Sequence, residues 1–224
     1  MFTPPITGIF LAFFFACTQA TPEPLIGYER ITFASGKTLA YAAFHRVFQD
    51  AEEALRNGNA PVFFTETPLL IRPWERLLII RQNHYYEGTS IELKVYDYLG
   101  NLQSKAFTFE GSPIIVPGQE RILAGQRSSH NMVMSSFLLD KNGGLVATVS
   151  QPLCTHRFVV SDDEQVFWIL GARLEGSSPV GVVGAYDWKG NQLHIRDYFE
   201  RGTVQFSYGG TVYALELAEP EMCY

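Results

Sequence analysis

Short apolar runs, each stopped by turn-forming residues, follow one another along most of the chain. Residues 69–72 run into Pro73-Trp74 and then 77–81. Residues 114–116 run into Pro117-Gly118-Gln119 and 122–127. Residues 158–161 run into Asp162-Asp163 and 166–173, and residues 204–207 into Tyr208-Gly209-Gly210 and 211–217. Runs this short, rich in β-branched and aromatic residues and bounded by Gly, Pro and Asp, are expected to be strands joined by tight turns. The first runs of the four pairs start 45, 44 and 46 residues apart.

A second signal recurs between these pairs. Val-Tyr-Asp97-Tyr-Leu-Gly100-Asn-Leu102, Leu-Leu-Asp140-Lys-Asn-Gly143-Gly-Leu145 and Ala-Tyr-Asp187-Trp-Lys-Gly190-Asn-Gln-Leu193 each close an apolar run with Asp, place Gly three residues on, and reopen with Leu. Third strands are therefore expected to end at Tyr96, Leu139 and Tyr186, and fourth strands to start at Leu102, Leu145 and Leu193. A four-stranded unit recurring at about 45 residues has the period of a propeller blade.

Three complete blades then fall at 66–109, 110–151 and 152–199, followed by a half-blade holding strands one and two only. Residues 28–33, a Ser35-Gly36 turn and 38–44 read as the missing strands three and four. The expected fold is all-β, a small β-propeller of four blades, closed when the N-terminal strands pair with the C-terminal half-blade. Closure leaves no free edge. An open arc completed by a second chain is the alternative. Asp50, with Glu53 three residues later and Asn57-Gly58 as a stop, predicts one short helical insertion near 48–57.

The Tyr-Asp-x-x-Gly-Asn-Leu hairpin resembles the blades of bacterial propeller repeat proteins of the quinoprotein-like and TolB-like kind. It also resembles the YD repeats of shell-forming toxins, whose unit is about half as long. The resemblance spans about 135 residues, is architectural, and implies no family active-site motif.

Composition adds a location more than a chemistry. Among 224 residues, 46% are hydrophobic and 18% charged, with 17 Phe and 11 Tyr, enough for one domain with a proper core. The net charge of −6 and the lack of any Lys/Arg cluster argue against a nucleic-acid or anionic-membrane surface. The apolar stretch Ile9-Phe-Leu-Ala-Phe-Phe-Phe-Ala16 has the length of a signal peptide. Residues 1–20 are thus expected to be an export signal, 21–26 a tether and 27–224 the folded domain. Two processing readings stand open: cleavage after Thr18-Gln19-Ala20, or a lipobox at Phe14-Phe15-Ala16-Cys17 that makes Cys17 the lipidated first residue of a periplasmic or outer-membrane lipoprotein. Export leaves Cys154 and Cys223 in an oxidising compartment, where a disulfide between them competes with two buried thiols.

Candidate chemistry is sparse. Asp97, Asp140 and Asp187 could offer a ring of carboxylates, but their position favours capping of their own turns. Asp162-Asp163-Glu164 lacks the alternating spacing of a calcium loop. Ala34-Ser-Gly-Lys-Thr38 lacks the first glycine and the following helix of a phosphate loop. Arg81-Gln-Asn-His84 and Arg127-Ser-Ser-His130 sit where second strands are expected to run out, with Arg173 at the matching place in the third repeat. Arg81, His84, Tyr85, Arg127, His130 and Arg173 are therefore the candidate ligand-binding residues at one loop face. Arginine's fork suits carboxylate or sulfate groups. Strand-end solubilisers are the plainer reading. Neither a metal nor a cofactor is implied. The expected function is a non-enzymatic, exported binding or scaffold protein of the bacterial envelope with a protein or glycan partner. A carbohydrate-active enzyme with its site at the propeller mouth, and a subunit completing a propeller with another chain, are the alternatives. A closed ring implies a monomer.

Overall fold

The computed structural model describes residues 26–57, 60–86, 88–104, 107–127, 134–151, 153, 155–176 and 178–220. The chain is all-β, and the strand pairings among the described residues are antiparallel between neighbours in sequence. It divides into two compact units that meet in the sequence at Gly111/Ser112.

The first unit contains β1 (Ile26–Thr32), β2 (Thr38–Arg46), helix α1 (Ala51–Arg56), β3 (Phe63–Ile71), β4 (Arg76–Tyr85), β5 (Gly88–Asp97) and the first part of β6 (Phe107–Val116). α1 lies where the sequence placed it. The Asp50 carboxylate accepts the Glu53 amide at 2.8 Å, and Glu53 reaches back to the Gln49 amide at 3.1 Å, closing the N-terminal donors as a capping pair should. Six residues cannot hold a helix alone; Ala54, 1% exposed, anchors it.

The hairpin β1–β2 packs on one face of β4–β5. Phe33, Leu77 and Ile79 form the buried centre, flanked by Ile31, Leu39 and Tyr96. β2 also pairs with β3 through His45–Phe64 and Arg46–Phe63.

The second unit holds the end of β6, then β7 (Arg121–Arg127), β8 (Met134–Asp140), β9 (Leu145–Gln151), β10 (Thr155–Val160), β11 (Val166–Glu175), β12 (Ser178–Asp187), β13 (Gln192–Tyr198), β14 (Gly202–Tyr208) and β15 (Thr211–Leu217). The four-stranded sheet β10–β13 is buried on both faces, and the two-residue period of a strand divides its side chains between two cores. Phe167, Ile169, Val182 and Tyr186 join Leu123, Leu138 and Val149 on one side. Val166, Trp168, Leu170, Val183 and Ala185 join Val204, Tyr213 and Leu217 on the other. Each large apolar side chain so buried contributes roughly 1.5–3 kcal/mol, and face-to-face stacking of successive sheets is what repeat architectures use to cover their apolar faces.

Strand limits differ from the sequence reading in several places, among them β3, which starts at Phe63 rather than near Leu69 and so ahead of the expected blade 66–109. The first repeat has only a lone bridge, Tyr96 to Leu102, where a fourth strand was expected to open. The continuous strand β6 instead pairs with β5 at Ile91–Leu93 and runs through the expected blade boundary at 109/110. Gly111-Ser-Pro113 reads as a break, yet an extended backbone accepts proline's fixed φ. β4 also runs four residues past Arg81.

The repeat is clearest in the turns. Four strand-connecting turns share one form. Gly36, Gly100, Gly143 and Gly190 have φ of 82°, 80°, 80° and 86°. In each, the glycine amide bonds to the carbonyl three residues earlier, on Phe33, Asp97, Asp140 and Asp187, at 2.9–3.0 Å. Three further turns place Glu75, Glu120 and Glu164 at φ of 52°, 52° and 54°, with amides bonded to Arg72, Pro117 and Ser161. Left-handed glutamates are uncommon, and each costs about 1 kcal/mol or more against glycine. The fourth turn of this second kind is shorter, with Gly209 and Gly210 both at positive φ.

β14 and β15 form a sheet of two strands, and β2 lies between β1 and β3. No strand pairing among the described residues forms the expected ring closure.

Candidate functional site

The aspartates of the turns are caps. Asp97 Oδ1 accepts the amides of Leu99 and Asn101 at 2.9 and 2.8 Å, and its Oδ2 takes the side-chain amides of Asn101 and Gln103. Asp140 accepts the amides of Asn142 and Gly144, and Asp187 those of Lys189 and Asn191. Burial pushes the Asp97 and Asp187 carboxyls up, but the bonds from Asn101 and Leu99, and from Asn191 and Lys189, outweigh it and hold both below the usual carboxylate range. Asp163 is held low as well, first by the Gln165 amide and then by the Ser161 hydroxyl. The carboxylates of Asp97, Asp140 and Asp187 are consumed by their own turns.

The β3–β4–β5 sheet of the first unit carries a polar patch that the sequence brought into view only in part. Arg81, Asn83 and Tyr85 alternate onto one face of β4. Register places Glu66 and Phe64 opposite Arg81 and Asn83 on β3, and Glu92 and Ser90 opposite them on β5. The guanidinium of Arg81 lies over the Phe64 ring at 3.5 Å, a contact worth about 0.5–2 kcal/mol. Its Nε donates to Asn83 Oδ1 at 3.0 Å. Asn83 is 6% exposed, and its amide reaches Ser90 Oγ, which points on to the Tyr85 hydroxyl. Glu66 accepts the Ala42 amide at 2.7 Å, and Glu92 pairs with Lys94 at 3.1 Å.

His84 lies on the opposite face, three residues from Arg81, with its ring stacked on Phe63 at 4.2 Å. Arg81 and Tyr85 thus share a surface that His84 does not. In the second unit Arg173 makes a two-pronged pair with Asp197, at 3.1 and 2.6 Å. The side chain of Arg127 and residues Cys17, His130, Cys154 and Cys223 lie outside the described part. Arg81 and Arg173 sit inside strands rather than at strand ends. The polar stretch Gln82-Asn-His84 resembles a loop in sequence, but pairing on both sides holds it extended. Asn83, Ser90, Glu66, Glu92 and Phe64 were missed; a two-residue alternation carried through Gln82-Asn-His84 would have grouped Asn83 and Tyr85 with Arg81.

A shallow groove of about 420 Å³ lies in the second unit, lined by residues of β10, Asp162, Asp163, Trp168 and residues 212–215 of β15. The Tyr213 hydroxyl donates to Asp163 at 2.8 Å across it. Burial, then that bond, raises the Tyr213 hydroxyl. Among the described residues no cluster of three or more His, Cys, Asp or Glu is placed to hold a metal ion, and no helix is long and apolar enough to cross a membrane.

No protein-family model matches the chain, and no curated protein matches it. Among solved structures it is similar to the β-propeller domain of the Trilobed protease from Pyrococcus furiosus, with 10% identity and a TM-score of 0.42. The likeness covers 62% of this chain, which spans 44% of that one.

Proposed function

We propose that this chain is an exported binding module of the bacterial envelope, built as a four-bladed propeller. It presents the loop face of the propeller, and beside it the Arg81 side of the β3–β4–β5 sheet, to a protein or glycan partner. The turns support the architecture. Four glycine turns of one geometry, the first in the N-terminal hairpin, support reading that hairpin as strands three and four of a repeat whose first two strands are β14 and β15. In this reading β1 pairs with β15, the ring is a monomer, and residues 1–20 direct export, with Cys17 as lipid anchor or Ala20 as cleavage site. A disulfide between Cys154 and Cys223 ties down the C-terminus.

The observation that carries the binding role is Arg81: a half-buried guanidinium aimed by Phe64 and Asn83, with only its Nε engaged. The test is a pull-down from native envelopes with the wild-type chain and with Arg81→Ala. Partner recovery that depends on Arg81 supports the module, and recovery of nothing specific by either chain contradicts it.

A second reading is favoured by one observation. Glu66 and Glu92 flank Arg81 in register on the two neighbouring strands, two strand spacings apart, about 10 Å between Cα atoms. Glycoside hydrolases hold their two carboxyl groups about 5–9.5 Å apart, a range that side chains projecting from one sheet face on alternate strands can span. Turnover of a glycan that is lost in Glu92→Gln would favour the enzyme over the binding module.

A further inference from the structure

We propose that the Arg81 face of the first unit is a site for an acidic saccharide, with Arg81 taking its single anionic group; this rests on the binding-module reading above. Four charged side chains share that face: Glu66, Arg81, Glu92 and Lys94. Three of them are engaged by polar partners of their own. Glu66 holds the Ala42 amide, and Glu92 and Lys94 hold each other. Arg81 has Phe64 beneath it and Asn83 on Nε, while its terminal nitrogens Nη1 and Nη2 have no partner among the described residues. Arg173 contrasts with it: both of its terminal nitrogens are closed on Asp197.

The fork of Arg81 is also pre-oriented. Phe64, which stacks in turn on His45 at 4.7 Å, fixes the guanidinium plane, and Asn83 fixes its rotation. A planar fork held in this way matches a carboxylate or a sulfate ester in two-pronged fashion. The flanking groups select what the anion is attached to. Glu66 and Glu92 would repel a dianionic phosphate or a run of acidic residues. Their oxygens, with the hydroxyls of Ser90 and Tyr85, are acceptors and donors for sugar hydroxyls. One negative charge on a hydroxyl-rich ring fits this surface, and an acidic peptide does not. Asn83 acts as a positioning residue, because it is buried and touches Arg81 through Nε.

Isothermal titration with a uronic-acid trisaccharide, its neutral counterpart and a monosulfated sugar tests the site on the full exported chain. The uronate is expected to bind the wild-type chain. Arg81→Lys, which keeps the charge and loses the fork, should weaken it at least tenfold, and Arg81→Ala should abolish it. Arg196→Ala, at an exposed arginine of β13, should leave affinity unchanged. Asn83→Ala should weaken the uronate more than the neutral sugar, a split that a purely structural defect would not produce. Comparison of uronate with sulfated sugar identifies the anion. Equal uronate affinity in wild type and Arg81→Lys overturns the inference, as does a wild-type chain that binds neither anionic sugar. In either case an envelope partner still recovered in the pull-down leaves the binding module standing, and loss of both removes it.

Discussion

Glu164 holds Gly118 across two successive repeats of the second unit. Its carboxylate accepts the Gly118 amide at 3.0 Å, and a Cβ on Gly118 would strike that same oxygen. Glu164 does this from a left-handed backbone, while its carbonyl accepts the Trp188 indole at 2.6 Å. Glu75 has the same φ without a side-chain bond of this kind. Relief of the left-handed strain should therefore make Glu75→Gly more stable by about 0.5–1 kcal/mol. Glu164→Gly should show no such gain, because it also loses a charged hydrogen bond worth about 1.5 kcal/mol or more. Urea denaturation of the two variants checks the contrast.

The turn aspartates set the acid limit of the fold. Asp97, Asp163 and Asp187 are held below their ordinary range in the folded chain. A carboxyl with a depressed folded value stabilises above its unfolded pKa, near 4, and the contribution disappears as pH falls through the folded value. Denaturation midpoints should fall steeply below pH 4. In Asp97→Asn with Asp187→Asn the slope should flatten, and the loss at pH 7 should be about 1 kcal/mol or more for each site.

Tyr41 sets the opposite limit. Burial, then its bond to Glu29, pushes the hydroxyl up to about 12. A raised tyrosine stabilises while protonated, fully so below about pH 10, and the contribution is lost as pH rises toward 12. Ultraviolet titration should show late-forming tyrosinates, Tyr96, Tyr186 and Tyr213 among them, and one fewer in Tyr41→Phe, and the alkaline slope of stability should shrink with it.

Two glycines of β12 are packing sites. A Cβ on Gly184 would lie 2.7 Å from Gln151 Nε2 and 2.8 Å from the Tyr186 ring, and one on Gly181 would run into the Tyr198 ring. Gly184→Ala and Gly181→Ala should each cost about 1–3 kcal/mol through overpacking, measured as a lowered thermal midpoint, whereas alanine at Gly202, which has open space around it, should cost little.

Much of the architecture was legible because turn chemistry is local. Asp97, Asp140 and Asp187 cap the turns they punctuate, and 211–217 is a strand with the bounds expected. The helix stood out through Asp50 and Glu53. The site was less legible, because it depends on pairing across strands. His84 follows Arg81 by three residues and so falls on the other face, and Gln82-Asn-His84 resembles a loop until its partners on β3 and β5 are known. The left-handed glutamates were hidden for a related reason. Nothing in Glu75, Glu120 or Glu164 distinguishes them from surface acids except the backbone that the flanking strands impose.

Hydrogen exchange of the intact mature protein tests most directly whether the N-terminal hairpin completes the C-terminal half-blade. A ring closed by β1 on β15 predicts that amides along both 26–32 and 211–217 exchange slowly at every other position on the edge facing away from β2 and β14, with protection approaching that of β11 and β12. Rapid exchange along those two edges, with the inner amides still protected, would contradict the closed four-blade ring.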